Sequence, residues 1–198
     1  MTNEAAPRPG PPEANWVKRL AKALLALFFR RVEVTGLSGL PRRGGGLLLA
    51  WHPNGLIDPA LVLATFPGRV VFGARHGLFR WPVLGRVLRS VAVPIYRRQD
   101  LAPGGDPAAA RCNNAVSLGA LAEAVAGGSF AMLFPEGDSH DQPHPLELKT
   151  GAARLYLDAL AKSGTGPPPA IVPVGLFVGF IIAALYSPMF ELAGRLGH

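Results

Sequence analysis

Residues 46–59 read GLLLAWHPNGLIDP: an apolar run from Gly46 to Ala50, then Trp51 and His52, then Pro53-Asn54-Gly55, and finally Asp58-Pro59. The apolar run has the length of a strand and predicts a buried one, Gly46–Trp51. Asn54-Gly55 is turn chemistry, and Asp58 before Pro59 has the pattern of a helix start, with aspartate as N-cap and proline at the first helical position. A core strand that runs straight into a histidine, with a carboxylate returning after one turn, also suits a general base acting on a hydroxyl. Asp58 can serve as cap and as partner of the imidazole together.

The same punctuation recurs outward from this stretch. Expected strands are Gly46–Trp51, Arg69–Ala74, Val91–Tyr96, Ser129–Phe134 and Ala170–Phe177, and expected helices are Pro59–Phe66, Leu78–Arg89, Asp106–Ala126 and Leu146–Lys162. Short apolar strands alternating with helices predict an α/β fold, a layered and largely parallel central sheet flanked by helices. In such sheets the site lies in the loops beyond the carboxyl ends of the strands. Two more strands end in polar residues there. One ends in Tyr96-Arg97-Arg98, whose guanidinium forks suit a phosphate but are equally the chemistry of a solvated surface. The other stops at Phe134-Pro135-Glu136-Gly137-Asp138-Ser139-His140, a turn that is unspecific by itself. No internal repeat occurs, and the breaks Ala102–Pro107 and Ser163–Pro169 are short enough to be loops.

At 198 residues the chain has room for one domain with a sizeable core, and 49% hydrophobic residues exclude wholesale disorder. Its single cysteine, Cys112, excludes a disulfide framework and a cysteine-rich zinc site, and reads as a small buried or half-buried side chain near a helix start. His76 and His144 read as surface or locally bonded residues. The net charge of +7 is uneven, +11 over residues 1–99 and −4 thereafter, which suits an anionic partner. No aromatic-interleaved basic strand or recognition motif points to nucleic acid.

The N-terminus favours a membrane surface. Residues 1–14 are polar and Pro-rich and predict a disordered tail. Residues 15–35 predict an amphipathic helix in which Trp16, Leu20, Leu24, Leu27 and Phe28 recur at helical spacing between Lys18, Arg19, Lys22, Arg30 and Arg31. Its longest apolar stretch, Ala23 to Phe29, is too short to span a bilayer, and no small-residue cleavage site follows. The alternative is an ordinary first helix packed on the core.

Taken in order, the stretches WHPNGLIDP, AVPIYRRQD, LFPEGDSH and IVPVG resemble the four blocks of the glycerophospholipid acyltransferases, which acylate glycerol 3-phosphate or lysophosphatidic acid. The resemblance covers about residues 45–176, and it is the combination of blocks that is specific. It implies that His52 is the base that takes the proton from the acceptor hydroxyl as it attacks an acyl thioester, acyl-CoA or acyl carrier protein. It further implies that Asp58 orients His52 and that Arg97 and Arg98 hold the substrate phosphate. Glu136, Gly137 and Ser139 would shape the acceptor pocket, Lys149 in LELKTGAARL would add charge, and Val172-Pro173 would line the acyl side. No cofactor and no metal is implied, and the expected location is the cytoplasmic face of a membrane.

The chain departs from the family pattern in several places. Five residues separate His52 from Asp58 where four are usual. Trp51 stands where asparagine is common, and Asp138-Ser139-His140 replaces the usual Thr-Arg-Ser. After the acyltransferase domain expected over 36–178, residues 179–198 form an apolar C-terminal tail, and no charge occurs between Lys162 and Glu191. Ala170–Tyr186 is at the lower limit for a membrane span. Two other functions use the same residues. A metal-dependent phosphohydrolase would recruit His52, Asp58, His140 and Asp141. A catalytically weak lipid-binding module would keep the basic helix and the arginines.

Overall fold

β1, Gly46–Ala50, is hydrogen-bonded along both edges in the computed structural model, which describes residues 12–51, 55–96, 107–137, 144 and 146–175. The other strands are β2 (Val70–Arg75), β3 (Ala92–Ile95), β4 (Phe130–Leu133) and β5 (Ala170–Val174), in the order β3-β2-β4-β1-β5. Every pairing is parallel. The helices are α1 (Pro12–Phe28), α2 (Ile57–Thr65), α3 (Pro82–Val91), α4 (Pro107–Ala126) and α5 (Gly151–Lys162), with 3-10 turns at Leu37–Gly39 and His76–Arg80.

Both faces of the sheet are covered along its central strands, which is why these read as unbroken apolar runs, while the outer side of edge strand β5 is exposed at Ile171 and Pro173. On one face Leu48, Ala50, Phe72 and Met132 join α1, α2 and α3 in a single core cluster. On the other, Leu47 and Ala131 pack with Leu121 and Val125 of α4 and with Leu155 and Ala159 of α5. Phe66, just past α2, meets Phe130 of β4 edge to face, with ring centroids 4.9 Å apart.

Close backbone approach is built in at the start of β1. A Cβ on Gly45 would collide with the carbonyl oxygens of Ser129 and Val125, and one on Gly46 would sit 2.6 Å from the carbonyl of Ala170. Only glycine lets β1 slide between its two neighbours at this depth.

Several expected boundaries shift. Helix 78–89 begins later, at Pro82, because His76–Arg80 winds as a 3-10 turn, and Val91 closes α3 rather than opening β3. Residues 146–149 are not helical, since the Lys149 N–H is drawn back to the carbonyl of Pro135 at 2.7 Å. The first helix spans Pro12–Phe28 rather than 15–35. Its core-facing side is Val17, Ala21 and Leu25, whereas the stripe expected from spacing, Trp16, Leu20, Leu24, Leu27 and Phe28, is exposed. The helix therefore has two apolar sides, one packed and one bare. Lys18 ties it down by donating to the carbonyls of Phe66 (3.0 Å) and Gly68 (2.7 Å) at the carboxyl end of α2, a favourable place for a cation. Burial, and secondarily the charge of Lys22, lowers the pKa of Lys18 below the ordinary lysine value. Among the described residues no helix is long and apolar enough to cross a membrane. Residues 176–198, where the apolar tail falls, lie outside the described residues, as do 1–11 of the expected N-terminal tail.

The collision at Gly45 gives a stability test. Gly45→Ala is expected to lower the unfolding free energy by about 1–3 kcal/mol, read as a lower urea midpoint, while Gly39→Ala, where a Cβ meets nothing within 4 Å, leaves the midpoint unchanged. Equal midpoints for the two variants would contradict the close approach.

Candidate active site

Because all five strands are parallel, their carboxyl ends share one edge. α2 follows β1 and packs on one face, and α5 follows β4 and packs on the other. β1 and β4 are neighbours, so the chain leaves them toward opposite faces and opens a crevice between their ends, the usual place for a site in an open α/β sheet. Leu49 is level with Leu133 on β4 and with Pro173 on β5. Three of the four motif-bearing segments thus leave from three adjacent strands. The fourth, before Arg97-Arg98, leaves from β3, with β2 between it and β4.

Asp58 is wholly buried at 0% exposure, in the first turn of α2. It is not the N-cap, a position held by Leu56 without a side-chain bond, because the helix starts earlier than its proline signals. A carboxylate in a first helical turn still faces the positive end of the helix dipole. Glu136 is also buried, at 4% exposure, in the turn after β4. That turn is closed by the Gly137 N–H on the carbonyl of Phe134 at 3.0 Å. Gly137 has φ 77°, in the left-handed region that favours glycine, and a Cβ there would lie 3.4 Å from Cγ of Lys149. Glu136, Gly137 and the exposed Lys149 are therefore brought together. Pro173 is exposed on β5, an edge strand, where a proline leaves no ladder donor missing on the paired side. His52, Arg97, Arg98 and Ser139 lie outside the described residues, and so do His140 and Asp141 of the phosphohydrolase set.

A cavity of ≈ 1980 Å³ opens between α1, α2 and α3 and reaches this edge of the sheet. Its wall is mainly apolar, with Leu24, Leu63, Phe72 and Leu88 among its residues. Polar side chains enter it at the sheet edge, from Arg75, Asn114 and Lys149, while Pro173 is not part of the described wall. Gly137, Gly55 and Ile57 also border it, so the turns after β1 and β4 meet the apolar space directly.

Two of these residues carry no signal in the sequence. From sequence β2 is expected to end at Ala74, yet it runs on to Arg75, which pairs in register with Ile95 on β3. Only the strand order shows that this arginine stands between the ends of β3 and β4. Asn114, on α4, accepts from the Tyr96 N–H and donates to the Tyr96 carbonyl, both at 2.7 Å. Ser117, one turn on, donates to the carbonyl of Pro94 at 2.7 Å. The Tyr96 ring stacks on His76 at 4.3 Å between centroids. The backbone that enters Arg97-Arg98 is thereby held by α4. His76 is accordingly half-buried against a ring rather than a surface residue, His144 is exposed as expected, and Cys112 is exposed rather than buried because it sits on the outer side of α4.

Comparison with known proteins adds three findings. The family model described as Acyltransferase matches residues 31–176. The chain is 29% identical over 183 residues to the lyso-ornithine lipid O-acyltransferase of Rhizobium meliloti (strain 1021), a match that covers 90% of this chain and 56% of that protein. In three dimensions it is similar to the 1-acyl-sn-glycerophosphate (LPA) acyltransferase of Thermotoga maritima, with TM-score 0.55 and 17% identity, over 81% of this chain and 55% of the other. That second likeness is one of fold. The chain spans about half the length of both proteins.

The clamp on Tyr96 is directly testable. Asn114→Ala leaves both main-chain groups of Tyr96 without their side-chain partner and is expected to cost about 1–3 kcal/mol, seen as a lower thermal midpoint. Asn114→Asp, which keeps the acceptor alone, recovers part of the loss. Cys112→Ala on the exposed side of the same helix serves as control, and a loss there equal to that of Asn114→Ala would show that the clamp adds nothing.

Proposed function

The chain belongs to the Acyltransferase family, and on that premise we propose that it moves a fatty acyl group from an acyl thioester, acyl-CoA or acyl carrier protein, to a hydroxyl of glycerol 3-phosphate or of lysophosphatidic acid. The observation that carries the reading is the buried carboxylate of Asp58, six residues after His52 and between Ile57 and Pro59, two residues that line an apolar cavity whose wall also holds Arg75 and Lys149. An amphiphilic substrate needs both environments at once.

In this reading His52 accepts the proton of the acceptor hydroxyl as its oxygen attacks the thioester carbon. The new ester C–O bond forms, the C–S bond breaks, and the proton passes from the imidazolium to the departing thiolate. Asp58 holds the ring and offsets the charge that develops on it. A thioester is already activated, so one positioned base, worth ~10²–10⁴-fold, suffices without an acyl-enzyme. Arg75 and Lys149, together with Arg97 and Arg98, supply charge for a phosphate at the sheet edge. Glu136 and Gly137 shape the acceptor side through their fixed turn, with Ser139 following it in sequence.

The acceptor admits a second reading, favoured by the activity for which the Rhizobium relative is named: a lyso-ornithine lipid, whose own chain would enter the apolar cavity. The bare side of α1, with Leu27 79% and Phe28 74% exposed, supports a position on a membrane surface. The side expected is the cytoplasmic face, where thioester donors are available.

Acyl transfer to the three acceptors, assayed in membrane extracts with EDTA present, tests the reading. Wild type is expected to form product with at least one acceptor, and His52→Ala to lose it by ~10²-fold or more. Release of inorganic phosphate from the phosphorylated acceptors in a parallel assay without EDTA, abolished by EDTA and with no acyl product, would favour the phosphohydrolase, and absence of acyl product with every donor and acceptor from folded protein would overturn acyl transfer. Arg75→Ala is expected to raise KM for a phosphorylated acceptor about tenfold, the loss of one charge-assisted bond, with kcat changed less. An unchanged KM would remove Arg75 from the phosphate site.

A further inference from the structure

α1 is not alone in presenting bare apolar and basic side chains beside the cavity. Trp81 and Val83, at the start of α3, are 62% and 79% exposed. Arg80 precedes them in the 3-10 turn, Arg86 follows one turn later, and both are exposed. Arg89, also exposed, holds the carbonyl of Phe79 at 3.3 Å. The inner side of α3 is committed to the fold, with Gly85 and Val91 buried and Leu84, Val87 and Leu88 against the cavity. Gly85 in particular has no room for a side chain, because a Cβ would strike the carbonyl of Phe79. The outward residues are thus fixed in direction by the packing of the inward ones.

Charge and position decide what this outer side meets. No acidic residue occurs between Asp58 and Asp100, while Arg69, Arg75, Arg80, Arg86 and Arg89 all fall in that interval. A surface of this kind repels a basic partner and attracts an anionic one. Trp81, Val83, Leu20, Leu24 and Phe28 all border the one cavity, and α1 packs against α3. A lipid surface that covers the bare side of α1 therefore reaches the cavity mouth where Trp81 and Val83 stand. Tryptophan at a helix start, flanked by arginines, is chemistry suited to the headgroup level of a bilayer.

We propose that Arg80–Arg89 is a second membrane contact, in which Trp81 and Val83 enter the interface of an anionic bilayer and Arg80 and Arg86 bind its phospholipid headgroups. The contact deepens the membrane-surface reading of α1 and is read without any acyl transfer. Contacts from both α1 and the start of α3, side by side at the cavity mouth, set the tilt of the domain, so that the mouth faces the bilayer.

The test uses the full chain and vesicles of phosphatidylcholine with 30% phosphatidylglycerol, roughly the anionic level of a charged leaflet. Trp16, Trp51 and Trp81 are the three tryptophans of the chain, so double Trp→Phe variants report Trp16 or Trp81 singly. On vesicle binding, Trp81 emission is expected to shift to the blue, its quenching by acrylamide to fall severalfold, and brominated acyl chains to quench it. Arg80→Gln with Arg86→Gln is expected to weaken partitioning onto these vesicles roughly 25-fold at low salt, about fivefold per arginine, with little change on pure phosphatidylcholine. Matched thermal midpoints of the variants exclude misfolding as the cause. Trp81 left open to acrylamide while Trp16 is shielded would overturn this contact alone and leave a solvated basic face. No vesicle binding by wild type would overturn the α1 reading with it. Trp81 shielded without vesicles as protein concentration rises would replace the bilayer by a second copy of the chain.

Discussion

β1 can exist only as a strand with no free side. Hydrogen bonds occupy both edges, Leu48 and Ala50 fill one core, Leu47 fills the other, and Gly45-Gly46 admits the neighbouring backbones. A strand confined in this way carries no polar side chain along its length, because each would be buried without water or a ladder partner. The first position at which the chain can turn polar is beyond Ala50. The polar stretch beginning at His52 in the sequence and the buried Asp58 of α2 follow from that constraint, and so does the switch crevice, since β1 and β4 share a register and send their helices to opposite faces.

The division of the site follows from the same geometry. Polar residues collect at the carboxyl edge of the sheet, where strand ends release their loops, and apolar residues line the space between α1, α2 and α3 that the sheet face does not fill. The two environments meet at Gly55, Ile57 and Gly137. An acyl chain and a charged headgroup demand opposite solvation, and a single pocket of one character would reject half of either substrate. The proposed reaction uses the seam between them, where a base on one side and an apolar wall on the other act on adjoining atoms.

Much of this was legible in the residues because it depends on local signals. Apolar runs of strand length ending in Trp51-His52, Tyr96-Arg97 and Pro135-Glu136 mark both the sheet and the polar edge that carries the candidate site, and the alternation with helices points to parallel strands. What was hidden depends on who lies beside whom. Arg75 looks like a loop residue until β2 is seen between β3 and β4, and Asn114 looks like an unremarked polar position on a helix until its amide is found on both main-chain groups of Tyr96. Residues 146–149 have helical composition, yet the bond from Lys149 to Pro135 outweighs that propensity and sets the lysine beside Gly137.

The first helix shows why periodicity alone does not orient an element. Two stripes run along α1 at helical spacing, Val17-Ala21-Leu25 and Leu20-Leu24-Phe28, and the larger residues belong to the second. Hydrophobic magnitude would turn the second stripe inward. The sheet face instead offers α1 a shallow seat beside α2, where small side chains allow close approach and Lys18 can reach the carbonyls of Phe66 and Gly68. Turning the helix over would remove Lys18 from those carbonyls and press Leu24 and Phe28 against a core already filled by Leu48 and Met132. Packing therefore selects the smaller stripe and leaves the larger outside, beside the cavity mouth, where water is its least favourable neighbour. The exposed apolar surface is a consequence of the fold's own seat for α1, and it supports the proposed lipid contact independently of the proposed reaction.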